Sequence, residues 1–383
     1  MDKAIFSREV RTVEFTARHL WRFIRPLVGR HLSQRCRNCI LPEMASPLDE
    51  EGLCRECRTY LATHNTKTSE TVRRGDETAI DPIDEILKSH EGRAKGQYDA
   101  ILLFSGGKDS AYLLHRLVTD YPQLRILTML VDNGFLSPFA VENADRILRR
   151  FDVDHITVRP QPSFVKKAFR YALTNLDKQT GYSIVDQFDG HITFDTAKNF
   201  AARQDIPLVI CGLSRVQIEN VFGPIGFEFP PEQEQAKLTT HAGIPLREVF
   251  TEEEMQHWFD GSLFPKERVP RFLFPYYVWN PDEGFILREV SRLGLIDSKQ
   301  SSPLLTNNAV IPVIGMAEVA RFGYSSFEVE FAHMVREGKS ERGYWLNLFE
   351  MLEYSTKTGS FINKTVTDTL AQLGLTKKDV GVG

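Results

Sequence analysis

Residues 98–116 read YDAILLFSGGKDSAYLLHR, and the interpretation of the remaining chain depends on them. Residues 100–104 are a short apolar run that ends abruptly, which is typical of a strand buried on both faces of a parallel sheet. After Ser110 the apolar residues recur at helical spacing. The sequence therefore predicts a tight turn over residues 105–110 that leads from a buried strand into a helix.

The predicted turn has the composition of a phosphate-binding loop. Adjacent glycines let the backbone adopt positive φ and approach a ligand closely, so that successive N–H groups form an anion-binding nest at the positive end of the helix. Lys108 can meet a phosphate and Asp109 can hold Mg²⁺, although the Walker motif is absent. The predicted nucleotide-binding residues of this loop are Ser105, Gly106, Gly107, Lys108, Asp109 and Ser110. The last three are also the predicted catalytic residues.

The motif Ser105-Gly-Gly-Lys-Asp-Ser110 resembles the PP-loop of the N-type ATP pyrophosphatases, also called the adenine nucleotide α-hydrolase-like superfamily. The resemblance implies an α/β, doubly wound, mainly parallel sheet of Rossmann type. It also implies that the chain binds ATP and Mg²⁺, releases pyrophosphate and leaves AMP on an oxygen of the substrate. The alternative is a glycine turn with chance polar residues, which the strand–turn–helix context disfavours.

Three further strands are predicted at residues 125–132, 155–158 and 207–212. Ligands of open α/β sheets lie beyond the carboxyl ends of the strands, so residues that follow these strands should share a crevice with the glycine loop. The predicted additions to the nucleotide site are Asp132, Gly134, Gly212, Ser214 and Arg215. A turn or helix-capping role for Asp132, and an ordinary loop after residue 211, are the alternatives.

Residues 163–308 contain fewer residues with a predicted chemical role. Residues 163–204 have a helical pattern that is interrupted near Thr180-Gly181 and near Asp189-Gly190. Residues 224–281 are rich in proline and aromatic residues, which predicts irregular but ordered structure over the crevice. The aromatic run at residues 274–279 either faces a sugar or a base or forms a packed cluster. The polar turn at residues 302–308 is a second candidate for substrate contact.

Four of the five cysteines form two Cys-x-x-Cys pairs, at Cys36, Cys39, Cys54 and Cys57. This spacing is suited to tetrahedral Zn²⁺, and four thiols would make the site closed and structural. Disulfides and an iron–sulfur cluster remain as alternatives. The sequences around the pairs, residues 36–43 and 48–57, resemble the beginning of N-acetyl sugar amidotransferases, which are PP-loop enzymes.

Residues 132–137 resemble the same family, and so do Arg336, Gly338 and Arg342 near the end of the chain. The resemblance implies that ammonia from a separate glutaminase displaces AMP from an adenylated small-molecule substrate. One alternative is a sulfurtransferase that thiolates a nucleobase, a tRNA or a small metabolite with sulfur from a partner protein. The other is a nucleotide sensor that binds ATP without turnover, which the complete motif at residues 105–110 disfavours. Cys211 is the remaining thiol, and its place at the end of a strand predicts an inert, buried side chain.

The composition disfavours some partners and locations. The chain has 383 residues, a formal net charge of −4 and a pI near 6.2, which argues against a surface built for non-specific nucleic-acid binding. A local basic patch stays open as an alternative, and a tRNA partner is less expected than a small molecule. No apolar run is long enough for a transmembrane helix, and the beginning of the sequence does not resemble a signal peptide, so a cytoplasmic protein is expected. Residues 9–32 are basic and partly apolar. They are expected to form a helix that docks on its own protein, on a second subunit of a homodimer, or on an anionic membrane surface.

These observations predict five segments. They are a basic helix (residues 1–32), a zinc knuckle (33–63), a linker with a short helix (64–97), the ATP-binding domain (98–223) and a mostly helical region for substrate or partner (224–383).

Overall fold

The computed structural model describes residues 3–65, 81–296 and 308–382. The chain divides into two compact units, which are described separately. The first unit consists of residues 1–79, 173–183 and 309–383, and the second consists of residues 80–172 and 184–308. The division differs from the predicted five segments, because the ends of the chain belong to one unit and the sheet extends well beyond residue 223.

A parallel sheet forms the centre of the second unit. Within the described residues it has five strands in the order β3-β2-β1-β4-β7, and each pair of neighbours is parallel. The strands of this sheet are β1 (Ala100–Leu103), β2 (Ile126–Val131), β3 (Asp154–Val158), β4 (Leu208–Ile210) and β7 (Arg271–Leu273). A separate hairpin pairs β5 (Thr240–His241) with β6 (Ile244–Pro245). The α/β fold with a mainly parallel sheet is therefore confirmed.

The two units contain the following helices. In chain order they are α1 (Lys3–Phe15), α2 (Trp21–Val28), α3 (Arg55–Asn65), α4 (Pro82–His90), α5 (Lys108–Asp120), α6 (Pro138–Leu148), α7 (Pro162–Thr174), α8 (Ile184–Arg203), α9 (Arg215–Phe222), α10 (Pro231–Glu234), α11 (Leu246–Val249), α12 (Glu252–Met255), α13 (Pro275–Trp279), α14 (Glu283–Arg292), α15 (Val310–Phe322), α16 (Ser326–Arg336), α17 (Arg342–Thr358) and α18 (Asn363–Gln372). None of the described helices is both long and apolar enough to cross a membrane.

The sheet is covered on both faces, as a doubly wound fold requires. Along β1, Ala100 and Leu102 point into a core formed with α4, α5 and α14. Ile101 and Leu103 point the other way, into a core formed with α8 and α9. Because successive side chains of a strand alternate between faces, a strand that is apolar at every position must be buried on both sides.

Two predictions for the second unit were wrong. Residues 271–273 were expected to be irregular, but β7 pairs with β4 and adds an edge strand to the sheet. The helix was expected to break near Asp189-Gly190, yet α8 continues through both residues. Its neighbours Phe188 and Ile192 are buried, so packing maintains the helix despite the low helix propensity of glycine. The break predicted near Thr180-Gly181 is present, between α7 and α8.

The first unit is helical around a short cysteine-rich segment. The beginning of the chain is helical from α1 through a π-helical turn (Thr16–Leu20) into α2 and a short 3₁₀ turn (Gly29–His31). One face of this N-terminal helix packs on α17 and α18. The segment that was predicted as one helix over residues 327–342 is divided, because α16 ends at Arg336 and Gly338 has a φ of +71°. The helical character predicted for the C-terminal region is confirmed for residues 310–372.

Candidate functional site

The loop between β1 and α5 contains the predicted phosphate-binding residues. Gly106 has a φ of +76°, which side chains other than glycine rarely adopt. A Cβ atom at this position would lie 2.7 Å from both the carbonyl oxygen of Ala140 and the amide nitrogen of Ala144. Gly106 is therefore required both for its backbone conformation and for the contact between the loop and α6.

The end of this loop is the beginning of α5. Gly107 is the N-cap residue, so the first N–H groups of the helix have no acceptor within the helix. The hydroxyl oxygens of Ser105 and Ser110 lie 3.3 Å apart, and Ser110 Oγ donates to the Gly107 carbonyl at 3.1 Å. Free helix N–H groups and the positive end of the helix dipole favour an anion at this position.

Lys108 lies between two carboxylates at the start of α5. Its Nζ atom is 2.7 Å from Asp109 Oδ2 and 3.3 Å from Glu283 Oε1. Burial lowers the pKa of Lys108, but the two carboxylates outweigh burial and raise its pKa above the ordinary value. The lysine is therefore positively charged at neutral pH. Glu283, the first residue of α14, was not identified from the sequence, in which nothing marks an acidic residue this far from the loop.

Asp132 follows β2 at the same edge of the sheet as the glycine loop. Its Oδ1 atom accepts a hydrogen bond from the N–H of Gly134 at 2.8 Å, and its Oδ2 atom accepts one from Arg159 Nε at 2.9 Å. The turn role that was considered for Asp132 is thus present. Only 14% of the Asp132 side chain is exposed, so a ligand at this carboxylate would have to displace Arg159, whose own side chain is mostly exposed.

A second carboxylate lies beside the end of β2. Asp189, near the start of α8, accepts hydrogen bonds from Asn133 Nδ2 at 2.6 Å and from Asn308 Nδ2 at 3.1 Å. Burial raises the pKa of Asp189, and the two amide donors only partly oppose that effect. Asn308 is the described residue of the predicted turn at residues 302–308, and residues 302–307 lie outside the described residues. Asp189 was predicted as part of a helix break and not as a site residue.

The loop after β4 lies against the first turn of α5. A Cβ atom on Gly212 would be 3.3 Å from Leu113 Cδ2 and 3.7 Å from the carbonyl carbon of Asp109, so Gly212 permits a close approach. The Tyr276 hydroxyl donates to the carbonyl oxygen of Asp109 at 2.8 Å and further fixes this turn. These contacts bring the loops after β1 and β4 together at the carboxyl edge of the sheet.

The side chains of Ser214 and Arg215 make hydrogen bonds with residues of α9. Ser214 is the N-cap of α9, and Ser214 and Gln217 form a reciprocal capping box. Arg215 Nε donates to Glu219 Oε1 at 2.9 Å, and its guanidinium lies 4.9 Å from the ring centroid of Tyr277. The structure therefore gives both residues a role in α9, and Arg215 would have to leave Glu219 to contact a phosphate.

Cys211 is buried between the sheet and α8. Only 8% of its surface is exposed, and burial raises the pKa of its thiol to about 12. A thiol of this kind is protonated and weakly nucleophilic at neutral pH. This agrees with the inert role predicted for it.

A buried polar network that the sequence did not reveal connects α8 with the segment at residues 231–258. His241 Nε2 lies 2.7 Å from Asp195 Oδ2, and Lys198 Nζ lies 3.0 Å from Asp195 Oδ1 and 3.2 Å from Glu234 Oε2. The ring of His191 stacks on that of His241 with the centroids 3.7 Å apart. Burial is the largest effect on His191 and, with the neighbouring His241, holds its pKa well below the ordinary value.

The candidate metal centre lies in the first unit and consists of the four predicted cysteines. Their Sγ atoms all lie within 4.8 Å of one another, and Cys39 Sγ and Cys54 Sγ are 3.7 Å apart. Four sulfur ligands of a tetrahedral zinc ion stand about 3.8 Å apart, given a Zn–S distance near 2.3 Å. In a [4Fe–4S] cluster each cysteine binds a different iron, which separates the sulfur atoms more widely. The arrangement therefore fits a single tetrahedral ion.

Hydrogen bonds support the cysteine cluster from outside. Three of the sulfur atoms accept N–H groups: Cys36 from the Cys54 amide, Cys39 from the Leu41 amide, and Cys57 from the side chain of Asn38. Such bonds stabilise thiolates and orient them toward an ion.

Arg342, the first residue of α17, fixes the cluster to the helical part of the unit. Its guanidinium donates to the carbonyl oxygens of Cys39 at 2.7 Å and Cys36 at 2.8 Å. In the sequence, Arg342 was singled out because it resembles, together with Arg336 and Gly338, a pattern near the end of the amidotransferases. The structure gives it a physical role, because it links the first Cys-x-x-Cys turn to a helix that begins about 300 residues later.

Comparison with known protein sequences does not identify a family for the chain. No protein family model matches the chain. Over 72 residues the chain is 38% identical to an uncharacterized protein of Methanocaldococcus jannaschii. The match covers 19% of this chain and 25% of that protein, so the chain spans about a quarter of the relative's length.

Three solved structures are similar to parts of the fold. An NH₃-dependent NAD synthetase from Campylobacter jejuni matches 37% of this chain and 58% of its own, with 16% identity and a TM-score of 0.27. The match with a U34-tRNA thiolase from Methanococcus maripaludis, solved with its [4Fe–4S] cluster, covers 92% of this chain and 99% of the thiolase, with 13% identity and a TM-score of 0.31. The match with an NMN synthetase from Francisella tularensis covers 71% of this chain and 92% of the synthetase, with 13% identity and a TM-score of 0.34. These scores are too low to identify the family of this chain.

Proposed function

We propose that the chain is an ATP-dependent adenylating enzyme of the PP-loop pyrophosphatase class. The observation that carries the proposal is the loop at residues 105–110. It combines a glycine in the left-handed region, a helix N-terminus with free N–H groups and a charged lysine at the carboxyl edge of a parallel sheet. This combination complements the phosphates of a nucleotide. The motif adds the chemistry, because it resembles loops that bind ATP and release pyrophosphate.

The residues of the crevice divide into two groups by charge. The N–H groups at the start of α5 and the ammonium of Lys108 would stabilise negative charge on the phosphates as pyrophosphate leaves. The carboxylate of Asp109, which is partly exposed, and that of Asp132, once released from Arg159, would hold Mg²⁺, which neutralises phosphate charge when it is bound. An oxygen of the substrate attacks the α-phosphorus, the bond to pyrophosphate breaks, and AMP remains on that oxygen.

The second half of the reaction is proposed to use nitrogen. All five cysteines of the chain lie in described residues, where four form the cluster and Cys211 is buried with a raised pKa. The cysteines therefore offer neither an accessible thiol to carry a persulfide nor a nucleophile to hydrolyse glutamine. Ammonia from a separate glutaminase would displace AMP, and the resemblance to the amidotransferases favours a small N-acetyl sugar as the substrate.

Pyrophosphate release tests the first half of the proposal. The wild-type protein should release pyrophosphate from ATP when substrate is present, with AMP as the second product. Lys108→Ala and Asp109→Asn should each lower the rate by about 10²-fold or more, because each removes charge that faces the phosphates. Lys88→Ala, which removes an exposed lysine of α4, is the matched control and should leave the rate unchanged. Wild-type rates in both loop variants would show that the crevice is assigned wrongly.

Isotope labelling tests the second half. The reaction is run in cell lysate with ¹⁵N-labelled glutamine or with a ³⁴S-labelled sulfur source, and the product is analysed by mass spectrometry. The proposal expects ¹⁵N in the product and full turnover by Cys211→Ser. Incorporation of ³⁴S would replace amide transfer with sulfur transfer while leaving the adenylation step in place.

A further inference from the structure

The N-terminal helix has two faces with different properties. On its inner face Phe6, Val10 and Trp21 are buried. Trp21 Nε1 donates to Glu350 Oε2 at 2.7 Å, and Asn347 Nδ2 donates to the carbonyl oxygen of Ala17 at 2.7 Å. These contacts fix the helix on α17, so the expected docking on its own protein accounts for the inner face alone.

The outer face carries large apolar side chains that are exposed to solvent in the part of the chain that the structure describes. The exposed fractions are 57% for Phe15, 41% for Leu20, 63% for Phe23 and 81% for Leu27. We call these four residues the outer apolar patch. Isolated exposed apolar residues are common, but a cluster on one short helix usually marks an interaction surface.

From Phe15 onward, the charged residues on the N-terminal helix are all basic. Residues 15–42 contain no aspartate or glutamate. Arg11, Arg18, Arg22 and Arg30 are exposed on the same helix, and the guanidinium of Arg22 lies 4.6 Å from the ring centroid of Phe23. An apolar surface with arginines at its margin is the pattern of a helix that lies in the headgroup region of a bilayer, where long basic side chains reach the phosphates.

We infer that the outer apolar patch and its arginines bind an anionic lipid surface, with Phe15, Leu20, Phe23 and Leu27 inserted among the acyl chains. Two other occupants fit less well. A second copy of the chain would bring the same arginines together around a two-fold axis, where like charges repel. RNA would attract the arginines and could stack on Phe15 and Phe23, but it would leave the aliphatic side chains of Leu20 and Leu27 without an apolar partner.

Vesicle co-sedimentation of the 383-residue chain tests the inference. The protein should sediment with vesicles of phosphatidylcholine mixed with phosphatidylglycerol and remain in the supernatant with phosphatidylcholine alone. Arg18→Gln combined with Arg22→Gln should weaken binding by roughly 30-fold, since each basic residue near an anionic surface is worth about fivefold. Phe23→Asp combined with Leu27→Asp should abolish binding.

The control is Val329→Asp, which replaces an exposed apolar residue of α16 by one aspartate outside the patch and should leave vesicle binding unchanged. Thermal unfolding shows that each variant is folded, and pyrophosphate release should be unaffected in all of them. Failure of the wild-type protein to bind anionic vesicles would overturn the inference. So would equal binding by the patch variants, a dimer that Leu27→Asp dissociates, or binding of RNA in preference to the vesicles.

Discussion

Three glycines near the crevice provide a graded test of the loop geometry. Gly107 has an ordinary backbone conformation, with φ −80° and ψ 169°, and a Cβ atom there would meet only Ser105 Oγ at 3.4 Å. Gly134 has a φ of +85° but open space around it. Gly106 has both a positive φ and backbone atoms 2.7 Å from the added Cβ. Substitution by alanine should therefore cost little at Gly107, more at Gly134 and most at Gly106.

The magnitudes follow from the separate contributions. Gly107→Ala should change the free energy of unfolding by no more than about 0.5 kcal/mol. Gly134→Ala should cost about 1 kcal/mol, because a left-handed alanine costs roughly 1–2 kcal/mol and the stiffer unfolded chain recovers part of that. At Gly106 the contact with α6 adds a further overpacking cost of roughly 1–3 kcal/mol, for a total of about 2–4 kcal/mol.

Scanning calorimetry measures the series. For a unit of this size 1 kcal/mol shifts the Tm by roughly 2–4 °C, so Gly106→Ala should lower the Tm of the transition of the second unit by about 4–16 °C. Gly107→Ala is the matched control, because Gly107 is the next residue in the chain but has neither the positive φ nor the close backbone contact of Gly106. A Gly106→Ala protein that melts no lower than Gly134→Ala would refute the close contact between the loop and α6.

Two further predictions concern the cysteine cluster and pH. The purified protein should contain one Zn²⁺ per chain by elemental analysis, and Cys57→Ser should lose the metal and unfold more easily, whereas Cys211→Ser should keep it; iron in place of zinc would contradict the assignment. Stability should fall as the pH drops below about 6.5, by as much as about 1.4 kcal/mol per pH unit, because folded His191 stays neutral while the unfolded chain binds a proton. His191→Phe keeps a ring on His241 and should flatten the dependence of Tm on pH between about 7 and 5, and an unchanged slope would exclude His191 as its source.

The glycine loop was predictable because its information is local. Residues 100–104 have no polar position, and the apolar spacing after Ser110 changes from strand to helix within a few residues. The four cysteines were equally clear, since thiols at this spacing have few other uses. In both cases the residues that do the chemistry are neighbours in sequence, and no tertiary contact was needed to find them.

The edge strand β7 could not be recognised in the same way. It has only three residues, Arg271–Leu273, with Pro270 on one side and Pro275 a short distance beyond. Prolines are tolerated at the edge of a sheet, but in a sequence they lower the expectation of a strand. Its identity as a strand depends on backbone pairing with β4, about 60 residues earlier in the chain.

Asp189 was missed for a related reason. Aspartate followed by glycine favours a turn, yet α8 continues because its apolar residues are buried against the sheet. Only this continuation places the Asp189 carboxylate beside the amide of Asn133 at the end of β2. Local propensity thus gave the wrong element, and the site residue was lost with it.

The charges around Lys108 set a condition on nucleotide binding. Its ammonium contacts Asp109 of α5 and Glu283 of α14, so two carboxylates surround one lysine. A triphosphate that approached these groups alone would meet like charges as well as the lysine. If Mg²⁺ accompanied the nucleotide, a carboxylate that held the ion would leave Lys108 free to pair with the phosphates, and repulsion would become attraction. Because Glu283 begins α14 and α14 packs on α5, the same exchange would couple the position of α14 to the occupancy of the loop.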